Sequence, residues 1–239
     1  MTALRKEFAE AVLDLLYLLE RTYPKRSSID IVGNRYRLSA DERMMLFRGI
    51  FTRAECEART EKRSRWSAAA VDTWVIDGYN VFITLESYLT GRVVFRALDG
   101  FTRDITGVYG NYTFGTRTRR AAGLLVQVLK SRVPEGMPVF VYLDEPVSKS
   151  GEFARFLRDL FDREAIKAQV DVVRSPDALI RKNHAGKGDL VATSDTVLID
   201  GVACCVDMPS LVLRGILERD ILDIQDFMEE ELPWVVALR

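Results

Sequence analysis

Four short apolar runs, three of them closing on an aspartate and all separated by helix-patterned stretches, constrain this chain more than any other feature. Trp74-Val75-Ile76 runs into Asp77-Gly78-Tyr79-Asn80, Pro138 to Leu143 runs into Asp144, and Leu190 to Thr193 runs into Ser194-Asp195. The remaining run, Ala168 to Val173, is followed by Pro176, which suits the first turn of a helix carrying Asp177, Leu179 and Ile180. The three runs that end on an aspartate lack polar alternation and read as buried strands, while Ala168 to Val173, with Gln169 and Asp171 alternating against valines, also reads as a strand. Between them, Ala121, Ala122, Leu125, Val128 and Leu129 recur at helical spacing over Thr118 to Lys130, and Phe153 to Phe161 forms a further helix. Strands that alternate with helices imply crossovers, so residues 71–239 are expected to form an α/β domain with a mostly parallel sheet.

Residues 1–66 follow a different period. Leu4, Phe8, Val12, Leu15, Leu16 and Leu19 mark a first helix, with Pro24 just beyond it. Ser27 and Ser28 offer N-caps for a short second helix through about Val32, where Gly33 and Asn34 break the pattern. Ser39 and Glu42 make a capping box ahead of Met44 to Phe51. The segment is thus expected to hold three helices, the last fraying through Glu55 to Arg65. Arg35, Arg37, Arg43, Arg48 and Arg53 permit a helix-turn-helix reading, but no base-reading side chain stands out and generic phosphate contact fits them equally. At the other end, Glu218 to Glu231 reads as an amphipathic closing helix, or as an acidic cover for the basic arm of a partner in a homodimer.

Charge separates the two parts. Residues 1–70 carry 14 Lys and Arg against 10 Asp and Glu, and the remainder carries 20 against 25, which suits a basic arm for a polyanion and an acidic site for cations. Two ordinary solvated surfaces account for the same numbers. The single histidine, His184, excludes a multi-histidine zinc site, and Cys56, Cys204 and Cys205 lack ligand spacing and read as core residues. No stretch approaches twenty apolar residues, and Arg5, Lys6, Glu7 and Glu10 break any signal-peptide layout, so a cytoplasmic location is expected.

The chemistry must therefore rest on carboxylates. In an open parallel sheet the ligand crevice lies outside the carboxyl ends of the strands, where Asp77, Asp144 and Asp195 converge, with Asp177 at the same edge. Such a group raises its own pKa values unless a hard, oxygen-seeking cation, Mg²⁺ or Mn²⁺, neutralises it. An aspartate taken alone is more often a turn residue or helix cap than a ligand; several at successive strand and helix ends favour a site.

The segments V-I-D-G-Y-N-V (75 to 81), V-F-V-Y-L-D (139 to 144), S-P-D-A-L-I (175 to 180) and L-V-A-T-S-D (190 to 195) resemble the PIN-like superfamily, and its NYN branch in particular. The resemblance covers most of residues 72–205 and implies a three-layer αβα fold and metal-dependent cleavage of RNA. It implies Asp77, Asp177 and Asp195 as metal ligands, with Asn80 supporting the first turn and Ser194 beside the last acid; in the ribonuclease reading Asp144, converging on the same edge, is a further ligand or water-orienting base. The pattern departs from the family between Glu86 and Gly115, where A-L-D-G-F-T-R-D-I-T-G looks inserted. There Glu86, Asp99 or Asp104 could add an acid, or Arg103 could form a structural ion pair, which is the favoured reading. The N-terminal helices are similar to those of an uncharacterised prokaryotic family that joins such a segment to a PIN-like domain.

Arg117, Arg119 and Arg120, near the start of one helix, together with Lys130, offer a grip on a backbone phosphate. Tyr79, Tyr109 and Tyr112 offer stacking faces, although packing is the commoner use of tyrosine. His184, Lys182 and Lys187 read as a solvated loop near the crevice. Two other classes remain beside an Mg²⁺- or Mn²⁺-dependent ribonuclease. One is a nucleic-acid-binding protein with a degenerate domain. The other is a nucleotide-binding or phosphatase-like enzyme, disfavoured because the chain has no Walker A or GxGxxG loop and because Tyr79 stands where an aspartyl-phosphate mechanism would want a second aspartate.

Overall fold

A computed structural model describes residues 4–67, 71–106, 112–186 and 188–238. Four helices come first: α1 (Lys6–Leu19), α2 (Lys25–Arg35), α3 (Ala40–Gly49) and α4 (Arg53–Ser64). There follow β1 (Thr73–Asp77), α5 (Gly78–Leu89), β2 (Val94–Arg96) and β3 (Thr102–Asp104). The chain continues through α6 (Thr116–Arg132), β4 (Val139–Asp144), α7 (Ser150–Arg163), β5 (Ala168–Val173) and α8 (Pro176–Asn183). It ends with β6 (Asp189–Ala192), α9 (Thr196–Gly201), β7 (Cys205–Val206), α10 (Met208–Gly215), β8 (Leu222–Asp223) and α11 (Ile224–Phe227). Two compact units result. One gathers the described residues of 1–60, 93–107 and 221–239, the other those of 61–92 and 108–220. The composition change near residues 66–71 does not mark these units, because the segments 93–107 and 221–239 belong with the N-terminal helices.

The larger unit is built on a five-stranded sheet of order β5-β4-β1-β6-β7, with every pair parallel. Alternation along β4 sorts its two faces. Val139, Val141 and Leu143 join a core with Phe82, Leu125 and Phe153 from α5, α6 and α7. Phe140 and Tyr142, pointing the other way, pack against His184 at the end of α8 with their rings tilted. Helices therefore cover both faces. Cys204 and Cys205 are buried as free thiols at the start of β7, and Cys56 is buried in the smaller unit.

The smaller unit packs Phe8, Val12, Leu15, Leu46 and Ile50 of the N-terminal segment with Phe95, Leu98, Ile224 and Met228. Its three-stranded sheet runs β3-β2-β8, with β2 antiparallel to β3 and parallel to β8. Here the charged stretch Glu55 to Arg65 departs from expectation: it is a fourth helix rather than a frayed end. Thr52 caps it reciprocally with Glu55, and Arg53 and Glu57 pair one turn apart at 2.7 Å. Helix α2 also runs three residues past Val32, because Gly33 stays helical and leaves room for the Arg43 guanidinium. The closing helix expected over Glu218 to Glu231 is replaced by β8 and the short α11. Asp223 is extended, pairs with Arg96 at 3.0 Å and accepts the amide of Gln225, so that a new helix begins at Ile224. Ile224 and Met228 are fully buried within the chain's own core, so the apolar side of that stretch is not left for a partner.

Inside the smaller unit Arg103 holds Asp99 through two hydrogen bonds of 2.6 and 2.8 Å, and Arg59 reaches the same carboxylate at 3.2 Å. All three are buried. Lys25 Nζ donates to the Ile50 carbonyl at 2.5 Å and lies 3.8 Å from the centre of the Phe51 ring. Asp104 pairs with Arg48 at 3.3 Å. Asp99, Arg103 and Asp104 thus serve structure, as favoured from sequence.

Candidate active site

In a 3-2-1-4-5 arrangement of parallel strands the chain reverses its direction of growth beside the first strand, and ligand crevices form at that point outside the carboxyl ends. The first strand here is β1, flanked by β4 and β6. Asp77 is the last residue of β1, Asp144 the last of β4, and Asp195 follows β6 by three residues. Asp177 sits in the first turn of α8. All four expected carboxylates belong to one unit and one edge of its sheet.

Their local roles differ. Asp195 caps α9, its Oδ1 accepting the amides of Val197 and Leu198 at 2.8 and 3.0 Å. Asp77 occupies the same N-cap position on α5, yet its side chain makes no capping hydrogen bond. It is instead 1% exposed, and its Oδ2 accepts from Asn80 Nδ2 at 2.5 Å and from Thr193 Oγ1 at 2.7 Å. Thr193 Oγ1 in turn accepts the amide of Asp195 at 3.1 Å, which ties the ends of β1 and β6 together. Ser175, not Asp177, caps α8. Asp144 and Asp177 are half-buried.

Burial pushes the Asp77 carboxyl up to about 8; the Thr193 and Asn80 hydrogen bonds oppose this, and the charges of Asp177 and Asp195 add to it. Asp144 is raised by burial and then by Asp177, and Asp177 by burial and then by Asp195. Asp177 thus acts on both Asp77 and Asp144, and Asp195 on both Asp77 and Asp177. Among the described residues, however, no group of three histidine, cysteine, aspartate or glutamate side chains is arranged so that it could hold a metal ion.

Of the expected accessory residues, Asn80 supports Asp77 directly, while Ser194 is buried at the edge of the site. Arg117, Arg119 and Arg120 stand exposed in the first turn of α6. Arg119 lies over the rings of Phe114 and Phe156, at 4.6 and 4.4 Å, so packing accounts for its position. Lys130, at the far end of that helix, pairs with Glu164 at 2.8 Å. Tyr79 and Tyr112 pack edge to face at 5.0 Å, and Tyr112 Oη donates to Glu86 at 2.6 Å, which gives these residues the packing role. Tyr109 and Lys187 fall outside the described residues.

His184 is a correction. Rather than standing in a solvated loop, it closes α8, with Nε2 at 2.9 Å from Tyr142 Oη and Nδ1 at 3.3 Å from Asp189. Thr193, which holds Asp77, has no signal in the sequence beyond lying in the same T-S-D segment as Asp195. Tyr79 Oη, fully buried, has no hydrogen-bond partner among the described residues.

A model described as a domain of unknown function (DUF5616) matches residues 67–211, which take in β1 through the first half of α10 and all four aspartates. The chain belongs to this family. A second model, a protein of unknown function (DUF434), matches residues 7–62, the span of helices α1 to α4. The protein named "Uncharacterized protein MJ0935" from Methanocaldococcus jannaschii is 31% identical over 197 residues, covering 82% of this chain and 91% of its own length. No solved structure matches. No helix among the described residues is long and apolar enough to cross a membrane.

Proposed function

We propose that this DUF5616 protein is a PIN-like, NYN-type phosphodiesterase that cleaves RNA with the help of Mg²⁺ or Mn²⁺. The observation that carries the reading is Asp77: a buried carboxylate at the switch point of a parallel sheet, in a capping position, that does not cap. Ordinary helix chemistry explains Asp195 without invoking function, and it leaves Asp77 unexplained.

The donor set is chemically suited to a hard cation, since Asp77, Asp177 and Asp195 supply only oxygen. Placement fits less closely, given that no three ligands are gathered. Mg²⁺ resolves the difference in part, because it keeps several waters and is bound through one or two carboxylates together with substrate phosphates. When bound, the cation would lower the pKa of a water and offset charge on the phosphate. The chain's own contribution is orientation. Asn80 and Thr193 fix one oxygen of Asp77, and the role of accepting a proton from an attacking water falls in this reading to Asp144, half-buried at the end of β4. Arg117 and Arg120 supply exposed positive charge at the N-terminus of α6, a position that favours a phosphate.

Replacing Asp77 with Asn is expected to abolish Mn²⁺-dependent cleavage of a labelled single-stranded RNA and to leave the circular dichroism spectrum unchanged. Full activity in that variant would defeat the proposal. The absence of a gathered ligand trio favours a second reading, a domain that binds RNA without cutting it. Binding that persists in EDTA, with no product from any RNA or single-stranded DNA, marks that case.

A further inference from the structure

Tyr79 stands in the first turn of α5, two residues beyond Asp77, at the carboxyl edge of the sheet. Its ring belongs to an aromatic cluster. It meets Tyr112 edge to face at 5.0 Å and Phe153 at 6.1 Å, and Phe153 in turn packs on Phe82 and Phe114. Most of these neighbours are phenylalanines, so packing calls for a ring and not for a hydroxyl. Tyr79 nevertheless carries one, and at 1% exposure its Oη has no hydrogen-bond partner among the described residues. A buried hydroxyl left unpaired is costly and requires an explanation. Tyr112 supplies the contrast, since its Oη donates to Glu86 at 2.6 Å and lies 3.2 Å from Thr118 Oγ1.

A complementary acceptor stands near. The charge of Asp144, the last residue of β4, acts on the Tyr79 phenol, although the two do not bond to each other. Asp144 is half-buried, and no side chain among the described residues donates to its carboxylate. A donor and an acceptor so related, without direct contact, call for a bridging molecule. Its chemistry follows from the two groups. A phosphate oxygen would meet the charge of Asp144, with that of Asp177 acting there as well. A hard cation takes carboxylates, carbonyls and waters rather than a phenol. Water accepts from the hydroxyl and donates to the carboxylate at once.

We infer that Tyr79 Oη and the Asp144 carboxylate hold one water between them, and that this water is the nucleophile of the phosphodiesterase. The water's oxygen forms the new bond to phosphorus and its proton passes to Asp144. The P–O bond that breaks leaves its electron pair on the departing ribose oxygen, which takes a proton from solvent. Tyr79 is then a positioning residue, fixing the water by donating to one lone pair and leaving the other free to attack. The catalytic half rests on the proposed function; the water site does not.

A crystal structure of the wild-type chain without metal should show an ordered water within hydrogen-bond reach of both Tyr79 Oη and Asp144, and Tyr79→Phe should lose it. That variant should keep the wild-type melting temperature, whereas Tyr112→Phe, which strands Glu86, should lower it. With Mn²⁺ and a labelled single-stranded RNA, Tyr79→Phe should lower kcat by about ten- to a hundredfold and leave KM unchanged. A Tyr79 hydroxyl bonded to the chain itself, or no water beside it, overturns the inference. So does an equal fall in melting temperature for the two phenylalanine variants, which would make the hydroxyl structural. Cleavage by Tyr79→Phe at the wild-type rate overturns the catalytic half. A wild-type chain that holds the water but cuts no RNA leaves the water site standing and defeats the nuclease reading.

Discussion

Lys25 and Asp77 are both ionisable groups taken out of water, and each is left without a full counter-charge. Burial, and then the charge of Arg103, drives the Lys25 amine down to about 7, against the pull of Glu55 and Asp99, while Arg59 adds to the push. Its folded pKa thus lies below the ordinary value of 10.5, so between those limits the native state binds fewer protons than the unfolded chain. Stability contributed through this group rises as pH climbs from about 7 towards 10.5 and is lost as pH falls back. Denaturant midpoints measured across that window for the wild type and Lys25→Met should therefore converge, or cross in favour of the wild type, as pH rises. A pH-independent difference would show that the amine is ordinary. At this scale the positions of Asp77, Asp144 and Asp195 at or just after strand ends, and of Asp177 at a helix start, are legible in the sequence. Thr193 bonding to Asp77, and His184 seated between Tyr142 and Asp189, are not, because such partners depend on which face of a strand a residue occupies and on the register between strands.

Elements were read well where apolar periodicity decided them and poorly where charge did. The runs ending at Asp77 and Asp144 became β1 and β4, and the strand expected over 190–193 is shifted by one residue to Asp189–Ala192. The low apolar content of α4 predicts a frayed end; ion pairs one turn apart and a capping box hold it instead. The D-G turn after β1 has a steric reason. A Cβ on Gly78 would lie 2.5 Å from Leu143 Cδ2 and 2.7 Å from the Tyr142 carbonyl oxygen, so only glycine lets α5 leave β1 this close to β4. Gly78→Ala is expected to cost ~1–3 kcal/mol of stability by urea unfolding. Gly123, inside α6 with open space around it, is the matched control, and its replacement by Ala should add ~0.5–1 kcal/mol. Equal effects at the two positions would remove the steric argument.

On the scale of the whole molecule, composition separated a basic beginning from an acidic remainder, but it could not show that residues 93–107 and 221–239 belong with the helices. Short strands such as Val94–Arg96 and Leu222–Asp223 carry too little pattern to announce a sheet assembled from distant segments. The carboxylate edge makes a global prediction, since any ion that binds the native state and not the unfolded chain raises its melting temperature. Mn²⁺ at about a hundredfold over its dissociation constant would supply ~2.7 kcal/mol, or on the order of several degrees. Differential scanning fluorimetry should show that rise for the wild type at about pH 8 and little of it for Asp77→Asn. A wild-type protein indifferent to both Mn²⁺ and Mg²⁺ would leave the carboxylates without a cation.

The three-part make-up of the smaller unit also sets a timetable for synthesis. The larger unit draws on residues 61–92 and 108–220 and has its whole sheet once these have left the ribosome. Helices α1 to α4 emerge first, yet Ile224, Met228 and Val235, which complete their core, emerge after everything else described above. Helices that leave the ribosome before the larger unit are therefore closed after it. Until residue 238 is available, Phe8, Val12 and Leu15 lack part of their apolar cover, and that interval is when a holding chaperone would have most to protect.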